Sequence, residues 1–339
     1  MNIKQAKDLL KTALPNGIKC LLVGKPATAK TEGPRQVAQD LKMHQIFLTP
    51  SITDPTDWKG MPCAVTEAGR TTAEFVPFGD VINLLVDKCE GPTLCFLDDI
   101  GQAPFLVQAA LMPFIQERRI GRYQMHEDVR FAGATNRRED GAGVQGIIEP
   151  LKSRFHTIID IEPDSDQYVN YLIQKDADPR VCAFLRTHPQ EVHQMPKELK
   201  HFDPWPNYRT WEGVNMWLAA GKDGEYNLAA LQGTIGKATA GQFHTFLKLT
   251  EKCPDVNKIV KDPDKVPVPD DMGLKHAVTI ALLKKANVKN LKNCLSYVAR
   301  MDRRFEVAFM KDLVEVNKNV TQTDLFVDWV TKNKDIFNS

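Results

Sequence analysis

The chain has 339 residues, 42% of them apolar, which suffices to bury a substantial core and suggests about two or three domains. Its 44 basic and 43 acidic residues nearly cancel, so no strong overall field selects nucleic acid or an anionic membrane, and only a local basic patch could do so. The opening stretch MNIKQAKDLLKTALPNG lacks the continuous apolar run of a secretory signal, and no segment reaches the roughly 18 apolar residues that cross a bilayer, so no membrane contact and a cytoplasmic location are expected.

The first half alternates short apolar runs with helical spacing. GIKCLLVG (17 to 24), HQIFLTP (44 to 50), PTLCFLDD (92 to 99) and VRFAGATN (129 to 136) are short runs bounded by turn residues, as buried parallel strands are. RQVAQDLKM, FGDVINLLVDKC and FLVQAALMPFIQERRI carry helical spacing between them. Strands alternating with helices predict an α/β domain with a mostly parallel sheet covered on both faces. From about residue 163 the pattern becomes helical: QYVNYLIQKDADPRVCAFLRTH, TWEGVNMWLAAG, EYNLAALQGTIGKATAGQFHTFLKL, LKHAVTIALLKKA and CLSYVARMDRRFEVAFMKDLVEV each read as helix. CPDVNKIVKDPDKVPVPDDMG (253 to 273), dense in proline and charge, reads as a crossing segment or linker. The expected domains are therefore 1–162, 163–255 and 256–339. Seven scattered cysteines, never spaced CxxC, argue against a disulfide framework or a zinc ribbon. His188, His193 and His201 lack the HExxH spacing of a helical zinc site.

The stretch VGKPATAKTE (23 to 32) has the form of a phosphate-binding turn between a strand and a helix. Such a turn curls successive N–H groups around a phosphate at a helix amino terminus, while a lysine neutralises the phosphates and the next hydroxyl takes Mg²⁺. The candidates are Gly24, Lys25, Pro26, Ala27, Thr28, Ala29, Lys30, Thr31 and Glu32, with Lys30 on phosphate and Thr31 on the metal. Glycine is usual where Ala29 stands, because that position often needs a positive φ, which costs a residue with a Cβ on the order of 1 kcal/mol. An ordinary strand-to-helix turn with a solvated lysine is the alternative.

TLCFLDDIGQAP ends an apolar strand in two carboxylates, at the edge where open α/β sheets place their ligands. Asp98 suits a magnesium-bound water and Asp99 the attacking water; the plainer reading is that the pair caps the next helix. Asn136 ends VRFAGATN and could position a water, though an asparagine there is more often a turn residue. Arg154 follows a short helix in EPLKSRFHTIIDIEP, and Arg209 opens a helix in WPNYRTWEGV.

The order GKPATAKT, FLDD, ATN, LKSRF, NYRTW resembles that of AAA+ ATPases, and DPTDWKGMP (54 to 62), IGQAPFLVQAALMPFIQER (100 to 118) and NYRTWEGV resemble their MoxR branch, over about residues 18 to 245. The resemblance implies an AAA+ P-loop α/β domain, a helical lid and, unmatched, a helical C-terminal extension. It implies Mg²⁺-dependent ATP hydrolysis coupled to chaperone-like remodelling of a partner protein. By position, Asp99 becomes the catalytic carboxylate, Asp98 the metal ligand, Asn136 the first sensor, Arg209 the second, and Arg154 the finger reaching a neighbouring subunit. That in turn implies a homo-oligomeric ring, typically a hexamer, and a partner with a von Willebrand factor A domain. Ala29 and Asp99, where glycine and glutamate are usual, imply slow turnover, since a misplacement of about 1 Å can cost on the order of 100-fold. Arg137 and Arg138 are rival fingers. A nucleotide-gated structural ring and a nucleic-acid motor using the lysines of 274 to 293 are the competing functions. Trp58, Lys59 and the hairpin-like VTEAGRTTAEFVPF could project into a ring pore or onto a partner, or could be a packed tryptophan and a surface hairpin.

Overall fold

The computed structural model describes residues 1–77, 91–120, 123–140, 145–196, 202–221 and 227–333. The chain forms two compact units, Met1–Pro163 and Asp164–Ser339. Among the described residues no helix is long and apolar enough to cross a membrane.

The first unit is built on a five-stranded parallel sheet of β1 (Cys20–Gly24), β2 (His44–Leu48), β5 (Thr93–Leu97), β8 (Val129–Thr135) and β9 (Thr157–Ile161), in the order β2-β5-β8-β1-β9. The four runs expected to be strands form the first four of these. β5 is buried throughout, because both faces of the sheet are covered, and a strand so placed must be apolar on both sides. One face carries Leu21, Leu97, Phe131 and, from α4 (Phe105–Gln116), Val107, Leu111 and Phe114. The other carries Leu22, Phe96, Ala132 and Ile159 beneath α1 (Ile3–Ala13) and α2 (Glu32–Asp40). The edge strand β9, not expected from the sequence, alternates instead: Ile159 and Ile161 are buried, Ile158 and Asp160 exposed. The expected helix FGDVINLLVDKC lies outside the described residues.

Trp58, in the short α3 (Pro55–Lys59), is packed rather than projecting. Its ring meets Phe114 edge-on at 5.0 Å, and its Nε1 donates to Thr53 Oγ1 at 2.8 Å. β3 (Met61–Glu67) and β4 (Arg70–Val76) do form an antiparallel hairpin, turning at Ala68 and Gly69 with φ of 52° and 77°. Gly60 is required at its base, where φ is 90° and a Cβ would lie 2.6 Å from the Val76 carbonyl oxygen. Two further short strands, β6 (Arg119–Ile120) and β7 (Tyr123–Gln124), pair after α4, and α5 (Glu149–Lys152) precedes β9.

The second unit is helical, as expected, but three of the expected long helices are broken. Asp178 caps α7 (Pro179–Thr187), separating it from α6 (Ser165–Gln174), because Pro179 cannot continue a helix but suits the first turn. Gly236 divides α9 (Leu228–Ile235) from α10 (Lys237–Thr250), and Asp302 caps α14 (Arg303–Val316) after α13 (Leu291–Ala299). The supposed linker contains α11 (Val256–Lys261), and α8 (Tyr208–Ala220), α12 (Met272–Lys285) and α15 (Asp324–Lys332) complete the unit. Phe184 of α7 is the centre of its core, with Trp211, Phe243 and Phe246 rings 5.6, 5.1 and 5.5 Å away. Arg186 and Asp312 form a buried ion pair at 2.6 Å between α7 and α14. Of the lysines in 274 to 293, Lys284 pairs with Asp176 and Lys285 bonds to Asn257.

His276 on α12 packs against the Phe305 ring, centroids 4.8 Å apart. Burial lowers its pKa from 6.5 to about 4, and the Arg186 and Arg304 cations push it the same way. The unfolded chain binds a proton here below pH 6.5 while the folded chain does not, so stability is full above pH 6.5 and is lost as the pH falls towards 4. Urea unfolding at pH 7 and pH 5 should show wild type losing about 2 kcal/mol more than His276→Gln over that interval. Equal losses would show that this ring does not set the acid limb.

Candidate functional site

The site lies at the carboxyl edge of the sheet, where β1, β5 and β8 end side by side. Gly24 closes β1 against β9: a Cβ there would sit 2.4 Å from the Ile161 carbonyl oxygen, so only glycine lets the strand leave the sheet at that point. The turn that follows winds into α2. Pro34 is tolerated in the first turn of that helix, where an N–H has no intrahelical acceptor to lose.

Lys30 is folded into this turn and is only 7% exposed. Its Nζ donates to the Gly24 carbonyl at 2.9 Å and to the Lys25 carbonyl, with Thr28 Oγ1 at 3.5 Å, and Thr28 in turn donates to the Lys25 carbonyl at 2.8 Å. Burial lowers the lysine pKa from 10.5 to about 8, against the pull of the Asp99, Asp98 and Asp140 carboxylates, while Arg137 lowers it further. A solvated surface lysine is therefore excluded. Ala27 and Ala29 have φ of 56° and 63°, so the turn takes the left-handed backbone at both positions without glycine. Among the described residues the N–H groups of Ala27, Ala29 and Lys30 have no protein acceptor. Lys25 and Pro26 line the turn, half-buried, and Glu32 faces outward, bonded to Gln36 and paired with Arg35.

The strand-end carboxylates meet this turn. Thr31 Oγ1 donates to Asp98 Oδ2 at 2.6 Å, and the Asp98 Oδ1 accepts the Asp99 N–H at 3.0 Å. Asp99 is itself left-handed, φ 53° and ψ 37°, and makes no side-chain cap bond to the turn after it, contrary to the capping alternative. A hydroxyl and a carboxylate brought together are hard oxygen donors of the kind Mg²⁺ takes.

Asn136 leaves β8 on the same edge, half-buried, its carbonyl accepting from Thr135 Oγ1 at 3.0 Å. The next residues differ sharply. Arg137 is bonded to Asp160 and Glu162, whereas Arg138 is exposed and, among the described residues, has no ion pair. Arg154 Nη1 donates to the Pro150 carbonyl at 2.7 Å and Ser153 Oγ at 3.0 Å, and its Nε is buried without a partner. Arg209 belongs to the second unit, where it is exposed in the first turn of α8. Three further carboxylates at this edge belong to no motif of the sequence: Asp140, whose Oδ2 is buried without a partner among the described residues and whose charge acts on Lys30, and Asp160 and Glu162. The alternation in TIIDIE was the available signal for the latter two.

No family model matches the chain, and no curated protein sequence does. Among solved structures it is similar to a RuvB mutant from Thermotoga maritima, at 16% identity over 83% of each chain and a TM-score of 0.44. It is also similar to NtrX from Brucella abortus in complex with ADP, at 12% identity over 96% of this chain and 65% of that one, with a TM-score of 0.43. At these values the likeness is loose. The described residues give a five-stranded parallel sheet in the order β2-β5-β8-β1-β9 with a strand-turn-helix at Lys30, and a helical second unit.

The backbone at residue 29 gives a direct test. Since φ is 63° there, Ala29→Gly should cost no stability, whereas the β-branched Ala29→Val should cost about 1–2 kcal/mol in urea unfolding. Equal stability of the valine variant would mean that the left-handed conformation is not adopted.

Proposed function

We propose that this protein is a Mg²⁺-dependent ATPase of the AAA+ type, close to the MoxR branch, that works as a ring and couples hydrolysis to remodelling of a partner protein. The observation that carries the reading is the Thr31 to Asp98 hydrogen bond of 2.6 Å beside a buried Lys30, at the end of a parallel strand. An ordinary strand-to-helix turn has no reason to bury an ammonium on its own carbonyls within the field of two carboxylates. The turn fits a polyphosphate: it offers N–H groups that have no acceptor among the described residues and a cation at a helix amino terminus.

In this reading Lys30 and the N–H groups of Ala27, Ala29 and Lys30 hold the phosphates, and Thr31 and Asp98 hold the metal. Mg²⁺, when bound, neutralises charge developing on the phosphoryl oxygens. Asp99 orients the attacking water and accepts its proton, Asn136 positions that water through its amide, and Arg209 is assigned the second-sensor role on its motif NYRTW alone. Arg154 serves a neighbouring subunit as the finger: among the described residues it has no carboxylate partner and bonds to its own short helix and Ser153, while the rival Arg137 is already engaged. A ring, with six members as the expected number, follows from a site completed by a neighbour, and a partner bearing a von Willebrand factor A domain is the partner this branch suggests.

Steady-state phosphate release tests the reaction. Asp99→Asn should lower turnover at least about 100-fold while ATP still binds, and Arg154→Ala should lower it about 1,000-fold with affinity retained. Mixing Arg154→Ala with Lys30→Ala subunits should restore activity at the mixed interfaces. Wild-type release no greater than that of Asp99→Asn, with and without partners, would instead favour a nucleotide-gated ring, the reading that the left-handed Ala29 and Asp99 motivate. Normal hydrolysis by Arg154→Ala would move the finger to Arg138.

A further inference from the structure

Arg137 stands two residues beyond the end of β8, yet its side chain is bonded to β9. Its Nε donates to Asp160 Oδ1 at 3.1 Å, and its Nη2 donates to the same oxygen at 2.5 Å and to Glu162 Oε1. β1 runs between those two strands. The register sets Thr135, Val23 and Asp160 in one row across β8, β1 and β9. The arginine therefore crosses the carboxyl end of β1 where that strand becomes the phosphate turn.

The contact differs from an ordinary surface pair, in which two mobile side chains gain little from meeting. The Arg137 side chain is only 15% exposed, although Asp160 and Glu162 are 62% and 50% exposed. A planar guanidinium shared by two carboxylates and mostly withdrawn from water fixes direction as well as distance. The residue before it is Asn136, and its charge is felt at Lys30. The turn it crosses contains two alanines in the left-handed region, a strained conformation that persists only where the surroundings hold it.

Resting on the nucleotide-site reading above, we propose that Arg137, Asp160 and Glu162 form a strap over β1 that holds the phosphate turn and Asn136 in the arrangement that binds nucleotide. Arg137 is a positioning residue: its own charge is engaged by β9 and it acts through the turn and through Asn136. The two adjacent arginines thus have separate work, with Arg138 the one left exposed.

The test is equilibrium binding of a fluorescent ATP analogue, with Mg²⁺, to wild type, Arg137→Ala, Arg137→Lys, Asp160→Asn/Glu162→Gln and the triple variant, well below each melting temperature, with Lys30→Ala as the control. The strap predicts that Arg137→Ala and the carboxylate double variant each weaken binding about tenfold, and that the triple variant is no weaker than either, because both remove one coupled unit. Arg137→Lys recovers only part, since an ammonium cannot span both acceptors in the same plane. Wild-type affinity in Arg137→Ala, whatever its melting temperature, overturns the proposal, as do losses that simply multiply in the triple variant. Wild type that binds no better than Lys30→Ala overturns the nucleotide reading itself, and the strap falls with it.

Discussion

The site depends on where β1 sits. In a parallel sheet every strand ends on the same edge, and the order β2-β5-β8-β1-β9 puts the turn that leaves β1 between the ends of β8 and β9, with β5 one strand further on. Three polar strand ends, Gly24 to Thr31, Asp98 to Asp99 and Asn136 to Asp140, are thereby brought to one edge although they lie far apart in the chain. The close approach of Gly24 to the Ile161 carbonyl is the steric condition for this, since any Cβ there would push β1 away from β9.

Strain and charge gather on that edge. Ala27, Ala29 and Asp99 all take left-handed backbone, each against the preference of a residue with a Cβ. Lys30 is buried, and its ammonium is held by two carbonyls of its own turn and drawn by the Asp98 and Asp99 charges, which offset only part of its desolvation. The apolar side chains of the first unit form two cores on opposite faces of the sheet, and its other left-handed residues with a Cβ, Lys42, Ala68 and Arg118, lie elsewhere. Three left-handed residues and a buried lysine on one edge are the ground on which the nucleotide site is proposed there.

The second unit draws on different physics. Its centre is aromatic, with Phe184 packed among Trp211, Phe243 and Phe246, and its long helical runs are divided by the Asp178 and Asp302 caps and by Gly236 rather than by loss of apolar periodicity. That explains why the helical character of this half was plain in the sequence while its breaks were not. The apolar spacing of QYVNYLIQ continues in phase through DADPRVCAF, and only the Asp178–Pro179 pair marks the interruption. The same holds at Gly236 and Asp302.

The residues themselves determined the parallel strands, the turn at Lys30, the acidic end of β5 and the helical second half, because each is a local pattern: an apolar run, a turn residue, a period of 3.6. Edge strand β9 was hidden because a strand covered on one face alternates, and five residues of alternation are a weak signal. Only the tertiary structure decided which charges meet. That Thr31 reaches Asp98, that Trp58 is packed on Phe114, and that Arg137 rather than Arg138 is engaged all follow from strand order and register. These relate residues up to 67 positions apart and leave no local trace in the sequence.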